Sequence, residues 1–135
     1  MKRILLLMIT CFLGFTVAAQ SYVQNNKKLE DVKEFMRSQT ADYYFNESFI
    51  DSSYLTLRYK KRKDGSSLDY VFLNNTCIMS AIPSSYGLRS AIVDKFNNDM
   101  RRKGVNQWVD DDRQIYVTFE DYDSYFICLF VTILP

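Results

Sequence analysis

The chain has 135 residues, of which 17 are Lys or Arg, 16 are Asp or Glu, three are Cys and none is His. The missing histidine excludes Ser-His-Asp and Cys-His catalysis, a histidine general base, and zinc or haem sites that need histidine ligands. The formal net charge of +1 argues against a dedicated nucleic-acid-binding protein, which needs an excess of basic side chains for its phosphate contacts.

The start of the chain has the three parts of a secretory signal peptide. Lys2 and Arg3 give a positive region, an apolar run follows, and small residues precede a cleavage site after Ala19. The run is shorter than the ~20 residues that span a bilayer, which disfavours the alternative of a membrane anchor. We therefore predict a signal peptide over 1–19 and a single exported domain over 20–135, in the periplasm or secreted, with no membrane span after cleavage.

Two amphipathic helices are predicted from apolar residues at helical spacing. The first covers 26–38, and the polar segment ahead of it, 20–28, has little pattern and is predicted to be frayed. The second begins at a serine cap at 84–85 and carries basic residues through Lys103 in its last turn. Gly104 then ends it.

The strands are predicted from alternating apolar and polar residues and from the turns between them. Asp64-Gly65 is a strong hairpin turn, Asn74-Asn75 forms a second turn, and Pro83 ends the strand that follows. The predicted strands lie at 43–50, 55–60, 68–72, 76–82, 107–110, 115–120 and 125–134. Short turns favour antiparallel pairing. The fold class is therefore α+β, with one antiparallel sheet of about five to seven strands, two helices on one face, and the order α-β-β-β-(β)-α-β-β-β.

Two cysteines, Cys77 and Cys128, remain after cleavage, and both lie on predicted strands. In an oxidising compartment they form either a disulfide or two small buried hydrophobic side chains. A disulfide needs Cα atoms within ~7 Å, which the sequence does not give. No CxxC motif or histidine base is present to activate a thiolate, so a catalytic cysteine is not expected.

The predicted binding surface combines basic and aromatic residues near the first hairpin with the single tryptophan. It consists of Tyr54, Arg58, Tyr59, Lys60, Lys61, Arg62 and Trp108. Its basic residues can contact an anion, a glycan or a membrane surface. Its aromatic residues can stack on sugars or fill a pocket of a protein partner. The alternative is a solvated hairpin end, with the aromatic residues packed in the core.

Two acidic loops, Asp110–Asp112 and Glu120–Asp123, flank one predicted strand. A strand of that length separates them by ~25 Å, too far for one site with two carboxylates. Each loop alone has oxygen ligands suitable for Ca²⁺, but neither has the EF-hand spacing, and ordinary polar turns explain both. The glycines are too dispersed for a phosphate-binding loop, and no cofactor or metal is predicted.

The middle of the chain places an aromatic strand, Leu68–Phe72, before a strand with Cys77, then an amphipathic helix, and then Trp108 before the closing strands. This order resembles small uncharacterised exported proteins of Bacteroidota, as does the leader junction at Ala19-Gln20. The resemblance covers about half of the chain and implies no catalytic residue.

These observations favour a non-catalytic binding module of the cell envelope, with a protein, peptide or glycan as its ligand. One alternative is a hydrolase that uses Glu120, Asp121 or Asp110–Asp112 as acid and base. The other is a structural accessory that pairs through a strand edge with an envelope assembly.

Overall fold

The computed structural model describes residues 22–134, so the predicted signal peptide over 1–19 lies outside the described residues. The helices are α1 (Leu29–Arg37) and α2 (Arg89–Asp99), and a short 3₁₀ turn, Tyr86–Leu88, precedes α2. The strands are β1 (Tyr43–Asp51), β2 (Tyr54–Lys61), β3 (Ser67–Leu73), β4 (Thr76–Ser85), β5 (Arg101–Gly104), β6 (Gln107–Asp110), β7 (Ile115–Asp121) and β8 (Tyr125–Thr132). No helix within this part of the chain is long and apolar enough to cross a membrane.

All eight strands form one sheet in the order β1-β2-β3-β4-β8-β7-β6-β5, and every neighbouring pair is antiparallel. The predicted α+β class with an antiparallel sheet and two helices is confirmed, but the sheet has more strands than the predicted five to seven. Each half of the chain is one helix followed by four strands, and the two halves join where β4 pairs with β8.

The additional strand is β5, in a place where the sequence predicts the last turn of the second helix. α2 ends at Asp99, and Met100 has an extended backbone. Arg101 and Arg102 then pair with β6, where their partners are Val109 and Trp108. The hydrogen bonds to β6 satisfy the backbone of this basic segment, so tertiary pairing overrides its helical pattern.

The end of β4 also differs from the prediction. Pro83 does not end the strand, which continues to Ser85 and pairs Pro83 with Ile127 of β8. The β3–β4 ladder ends at Asp69 and Ala81, so β4 has a partner on one side only at Pro83. Proline is tolerated there because its nitrogen has no ladder bond to donate on the unpaired side. The serine side chains at 84–85 do not cap α2.

The hydrophobic core lies on one face of the sheet, under both helices. Met36 of α1 contacts Tyr70 of β3, and Phe96 of α2 packs 6.0 Å from the ring of Phe130 of β8. Tyr70 and Phe130 both oppose Ser80 of β4 in the register, so they share a face. We call this the helix face and the opposite one the open face. The prediction that the helices share one face is therefore confirmed.

Residues 22–28 belong to the segment that the sequence predicts to be frayed. In the structure they are bound along the line where β4 pairs with β8. The side-chain amide of Asn25 donates hydrogen bonds to the carbonyls of Ile78, at 3.2 Å, and Phe130, at 2.9 Å. Its Oδ1 accepts a hydrogen bond from the Ser80 hydroxyl at 2.7 Å. Because these contacts reach both β4 and β8, the segment stabilises the centre of the sheet.

Cys77 and Cys128 are both buried, and neither is in a disulfide. Cys128 lies opposite Ile82, about five residues or ~16 Å along β4 from Cys77, well beyond the ~7 Å that a disulfide allows. Burial raises the pKa of the Cys77 thiol to about 11 and that of Cys128 to about 12. Both cysteines are small core residues with unreactive thiols.

Candidate functional site

The alternation of β2 divides the predicted basic surface between the two faces of the sheet. Arg58 lies on the open face, where its guanidinium donates to both carboxylate oxygens of Asp69 at 2.9 Å and to Glu47 at 3.2 Å. The hydrogen bonds to Asp69 raise the pKa of Arg58. Lys60 lies on the same face and donates to the Ser67 hydroxyl at 2.9 Å. These two cations are therefore already engaged by neighbouring strands.

Trp108 is wrongly predicted as a surface residue. Its side chain is 0% exposed, its Nε1 donates to Asn97 at 2.9 Å, and its ring packs 5.3 Å from that of Phe96. Tyr54 is exposed, and Lys61 is half-buried at the end of β2. The residues of the predicted surface are thus dispersed over the molecule. Of these, only Tyr59 and Arg62 line a concave site.

A groove of about 420 Å³ lies between α1 and the edge of the sheet and is called the α1–β1 groove here. Its lining residues are Lys33, Met36, Arg37, Thr40, Tyr43, Tyr44, Phe45, Tyr59 and Arg62. They include three cations and four aromatic rings, and no carboxylate is among the described residues that line it. This volume falls within the range of sites for small ligands and peptide side chains. The lining favours an anionic group next to an apolar one.

Helix α1 supplies two of the cations. Lys33 and Arg37 are four residues apart, so they project from the same side of the helix, while Met36 is buried below them. Lys33 pairs with Glu30 at 3.5 Å and Arg37 with Glu34 at 3.8 Å, both within the helix. Exposed pairs of this kind are worth only ~0.3–0.5 kcal/mol, so an anionic ligand can displace them.

Arg62 closes the end of the groove where β1 begins. Its Nε donates to the Thr40 carbonyl at 2.7 Å, and its guanidinium lies 5.3 Å from the centre of the Tyr44 ring. Its backbone N–H donates to the Asp42 carbonyl at 2.8 Å. Arg62 is therefore oriented by three neighbours, and its remaining N–H groups are available for an anion.

Tyrosines form the floor of the α1–β1 groove. Tyr43 and Tyr59 are buried, and the ring of Tyr59 meets that of Phe45 edge-on at 5.6 Å. Tyr43 packs on Tyr22 at 5.2 Å. Burial raises the pKa of Tyr43 and of Tyr59 above the ordinary phenol value. These phenols stay neutral at physiological pH and act as a rigid apolar wall rather than as acids or bases.

The edge strand beside the groove concentrates exposed apolar side chains. Tyr44, Phe45, Phe49 and Ile50 of β1 are 42%, 55%, 39% and 75% exposed. β1 is first in the sheet order and, within residues 22–134, pairs only with β2. The Tyr43 N–H already donates to the Gln39 carbonyl at 3.0 Å. The outer backbone groups beyond it are consequently available for another strand.

The candidate acids of a hydrolase do not converge. Asp110 accepts from Arg113 at 2.7 Å and Asp111 from Arg101 at 3.0 Å, whereas Asp121 lies at the other end of β7. The hydrogen bond from Arg101 lowers the pKa of Asp111. No group of three Cys, Asp or Glu in the described part of the chain is arranged to hold a metal.

Two acids of the second loop are also bound by neighbours. Asp121 pairs with Arg89 at 3.3 Å, and Glu120 accepts from the Tyr122 hydroxyl at 2.6 Å. Asp110, Asp111, Glu120 and Asp121 thus have four separate partners, so the geometry gives the calcium and hydrolase alternatives no support.

Sequence reasoning missed most of the α1–β1 groove. Lys33 and Arg37 fall within the first predicted helix, and Tyr44 and Phe45 within the first predicted strand, with nothing in the sequence to bring them together. Two cations four residues apart, followed closely by three consecutive aromatics from Tyr43, were the available signal. This pattern indicates a groove only when the strand is known to lie at the edge of the sheet.

No family model matches the chain, and neither a curated protein nor a solved structure matches it.

Proposed function

We propose that the protein is an exported, non-catalytic binding module of the cell envelope, and that the α1–β1 groove binds a ligand with an anionic group beside an apolar one. The supporting observation is the lining, which has three cations and four aromatic rings. Lys and Arg side chains bind carboxylates and phosphates through charge-assisted hydrogen bonds. The exposed ring of Phe45 offers an apolar surface at low cost in side-chain entropy, and the buried rings of Tyr43 and Tyr59 support it from below.

Among the ligand classes predicted from the sequence, a protein or peptide segment suits this site best. The groove has the volume of a site for a peptide side chain, and its cations and aromatic residues suit a side chain with an anionic group beside an apolar one. Met36 and Phe45 add apolar contacts that a polar sugar ring uses poorly.

An aromatic sulfonate, anilinonaphthalenesulfonate, is a suitable probe of the groove. We expect saturable binding, followed by fluorescence, that Arg37→Glu weakens by at least ~10-fold, because a hydrogen bond to a charged group contributes ~1.5–3 kcal/mol. Arg102→Glu makes the same charge change on β5, at the opposite edge of the sheet, and is expected to leave binding unchanged. An equal loss in both variants would contradict a specific site in the groove.

Export depends on the predicted signal peptide. We expect the protein recovered from the periplasm or the medium to begin at Gln20, with an intact mass that lacks residues 1–19. Mass spectrometry of each cell fraction measures this. A chain that begins at Met1 and stays in the cytoplasm would contradict export without affecting the proposal for the groove.

A second function, pairing through a strand edge with another protein, is favoured by one observation. β1 is a nine-residue edge strand with exposed apolar side chains. Long apolar edges of this kind template the addition of a strand from another chain. The hydrolase is not proposed, since Asp110, Asp111, Glu120 and Asp121 are each bound to a different partner and lie at opposite ends of β7.

A further inference from the structure

We propose that β1 pairs antiparallel with β1 of a second copy of this chain, about a twofold axis, so that two eight-stranded sheets become one continuous sheet. The inference rests on the second proposed function, pairing through a strand edge, and it names the partner of that edge. A twofold interface uses the same patch on both copies, so the strand must be complementary to itself.

The two edges of the sheet differ in how they are protected. β5 has four residues, and its three cations, Arg101–Lys103, are exposed. A short, charged edge resists the addition of another strand. β1 has nine residues and four exposed large apolar or aromatic side chains. Edge-to-edge association is therefore directed to β1.

The exposed side chains of β1 lie on both faces of the sheet. Phe45 and Ile50 oppose Tyr59 and Leu55 of β2, which belong to the helix face. Tyr44 and Phe49 lie on the open face. A ligand seated on one face alone leaves two of the four exposed, whereas an added strand covers both sets because its own side chains alternate between faces.

One register brings the two copies of β1 together with all faces matched. Its cross-strand pairs are Tyr44 with Phe49 of the second copy, Phe45 with Ser48, and the same two pairs with the copies exchanged. At each end Tyr43 lies beside Ile50 of the second copy, but its N–H stays bonded to the Gln39 carbonyl. Each pair joins residues of the same face, and the irregular step between Phe45 and Glu47 falls next to the twofold axis in both copies. A shift by one residue would oppose helix-face residues to open-face residues.

The same register completes the α1–β1 groove. Tyr43 lines the groove, and cross-strand neighbours on one face lie ~4.5–5.5 Å apart, so Ile50 of the second copy forms a wall on its open side. The cations Lys33 and Arg37 project from α1 rather than from the strand, and they remain available to an anionic ligand. Each groove is then built from two copies of the chain.

Like charges meet at the ends of the paired strands. Asp51 of the second copy comes opposite Asp42, and like charges directly opposite each other weaken pairing. The apolar pairs between these ends, above all Tyr44 with Phe49, supply the contacts that favour association.

Sedimentation of the mature chain tests the dimer directly. We expect the wild type to be a dimer, and Phe49→Lys and Ile50→Lys each to weaken self-association by at least ~10-fold, since each places a new charge against an apolar neighbour. Val105→Lys is the matched control, because Val105 is 80% exposed in the turn beside β5. Ile50 is 75% exposed, so unfolding of Ile50→Lys in urea is expected to be unchanged, and this variant separates loss of association from misfolding. Phe49→Lys also removes the contact of the Arg58 guanidinium with the Phe49 ring at 5.2 Å, so a small loss of stability is expected there.

Disulfide cross-linking tests the register. In a variant with Phe45→Cys and Ser48→Cys, oxidation is expected to link two copies, because each new cysteine opposes the other one across the interface. Within one copy the two positions are roughly 10 Å apart along the strand, which is too far for a disulfide. In a variant with Phe45→Cys and Ile50→Cys, the two cysteines lie on the same face but do not oppose each other across the interface. We expect this variant to remain without cross-links. Cys77 and Cys128 are buried and do not interfere.

The outcomes separate this inference from the proposed binding function. A wild type that stays monomeric at about 0.1 mM would overturn the dimer, as would a dimer that persists in Phe49→Lys and Ile50→Lys. If the dimer is overturned but the wild type binds the probe and Arg37→Glu does not, the groove proposal stands. A dimer that cross-links as expected but binds no probe would support the inference and overturn the groove proposal.

Discussion

The two halves of the molecule have the same order of elements but different outer edges. Each is a helix followed by four antiparallel strands, and they meet through β4 and β8. The half that begins with α2 has the four-residue basic strand β5 at its edge, whereas the half that begins with α1 has the nine-residue strand β1. One topology thus provides a protected edge and an open one, and the difference lies in side chains and strand length.

The cores under the two helices differ in their aromatic side chains and in how completely these fill the space below the helix. Under α2, Trp108 and Phe96 pack at 5.3 Å, and Phe119 adds a ring 5.0 Å from Trp108. Under α1 the aromatics are mainly tyrosines, and a groove remains between the helix and β1. The α2 half therefore supplies well-packed apolar contacts, and the α1 half supplies the surface suited to binding.

The largest expected effect tests this division of roles. Trp108→Ala removes a fully buried ring of the α2 half and is expected to lower the free energy of unfolding by ~3–5 kcal/mol. Phe45→Ala, at the edge of the α1 half, is expected to change it by less than ~0.5 kcal/mol, because that ring is 55% exposed. Urea denaturation of monomeric protein at low concentration measures both. Similar losses would refute the contrast between the halves.

The join between the halves is expected to give the next largest effect. Asn25→Ala leaves the carbonyls of Ile78 and Phe130 and the hydroxyl of Ser80 without this partner. Unsatisfied buried polar groups cost ~1–3 kcal/mol, so we expect a loss of about 2–3 kcal/mol in the same denaturation experiment. Asn98→Ala, at an exposed position of α2, is the control and is expected to be nearly neutral. A neutral Asn25→Ala would show that the N-terminal segment does not hold the halves together.

Alkaline pH is expected to weaken the fold through groups buried in both halves. Burial raises the pKa of Cys77 to about 11 and of Cys128 to about 12, whereas an unfolded thiol titrates near ~8.5. Between these values the folded state holds protons that the unfolded state has lost, so stability is complete below ~pH 8.5 and falls as the pH rises. The slope is up to ~1.4 kcal/mol per pH unit for each thiol.

Urea denaturation from pH 8 upward measures this slope. Cys128→Ala is expected to reduce the slope by the contribution of one thiol. Burial also raises the pKa of Tyr70, so the free energy of unfolding is expected to keep falling at higher pH in this variant. Stability that does not change up to ~pH 11 would contradict the burial of these groups.

Local patterns were sufficient to predict the turns and much of the sheet. Asn74 and Asn75 have φ angles of 49° and 67°, and Gly65 has 73°, as their turns require. The alternation of apolar and polar residues in β2 and β3 matches the division of these residues between the two faces of the sheet. These features depend on residues close in sequence, where backbone preferences and side-chain period act directly.

Features that depend on distant pairing could not be predicted. Arg101–Gly104 has the composition of a helix end, and only the presence of β6 makes it a strand. Trp108 was assigned to the surface because the sequence does not show that Phe96 and Phe119 cover it. The α1–β1 groove depends on the position of β1 at the edge of the sheet, which follows from the order of all eight strands.

The smallest expected effect compares one ion pair from each half. Arg58 binds Asp69 through two hydrogen bonds of 2.9 Å on the open face of the α1 half, with side chains 31% and 19% exposed. Arg101 binds Asp111 at 3.0 Å in the α2 half, but that pair is open to solvent.

We expect Arg58→Ala to lower the free energy of unfolding by ~0.5–1 kcal/mol and Arg101→Ala to leave it unchanged, because water screens the exposed pair more strongly. Raising the ionic strength to about 1 M shortens the screening length to ~3 Å and is expected to reduce the Arg58 effect by about half. Urea denaturation at low and high salt measures both. If the two substitutions had equal effects, the Arg58 pair in the α1 half would be no better protected from solvent than the Arg101 pair in the α2 half. That result would confine the difference between the halves to their apolar surfaces.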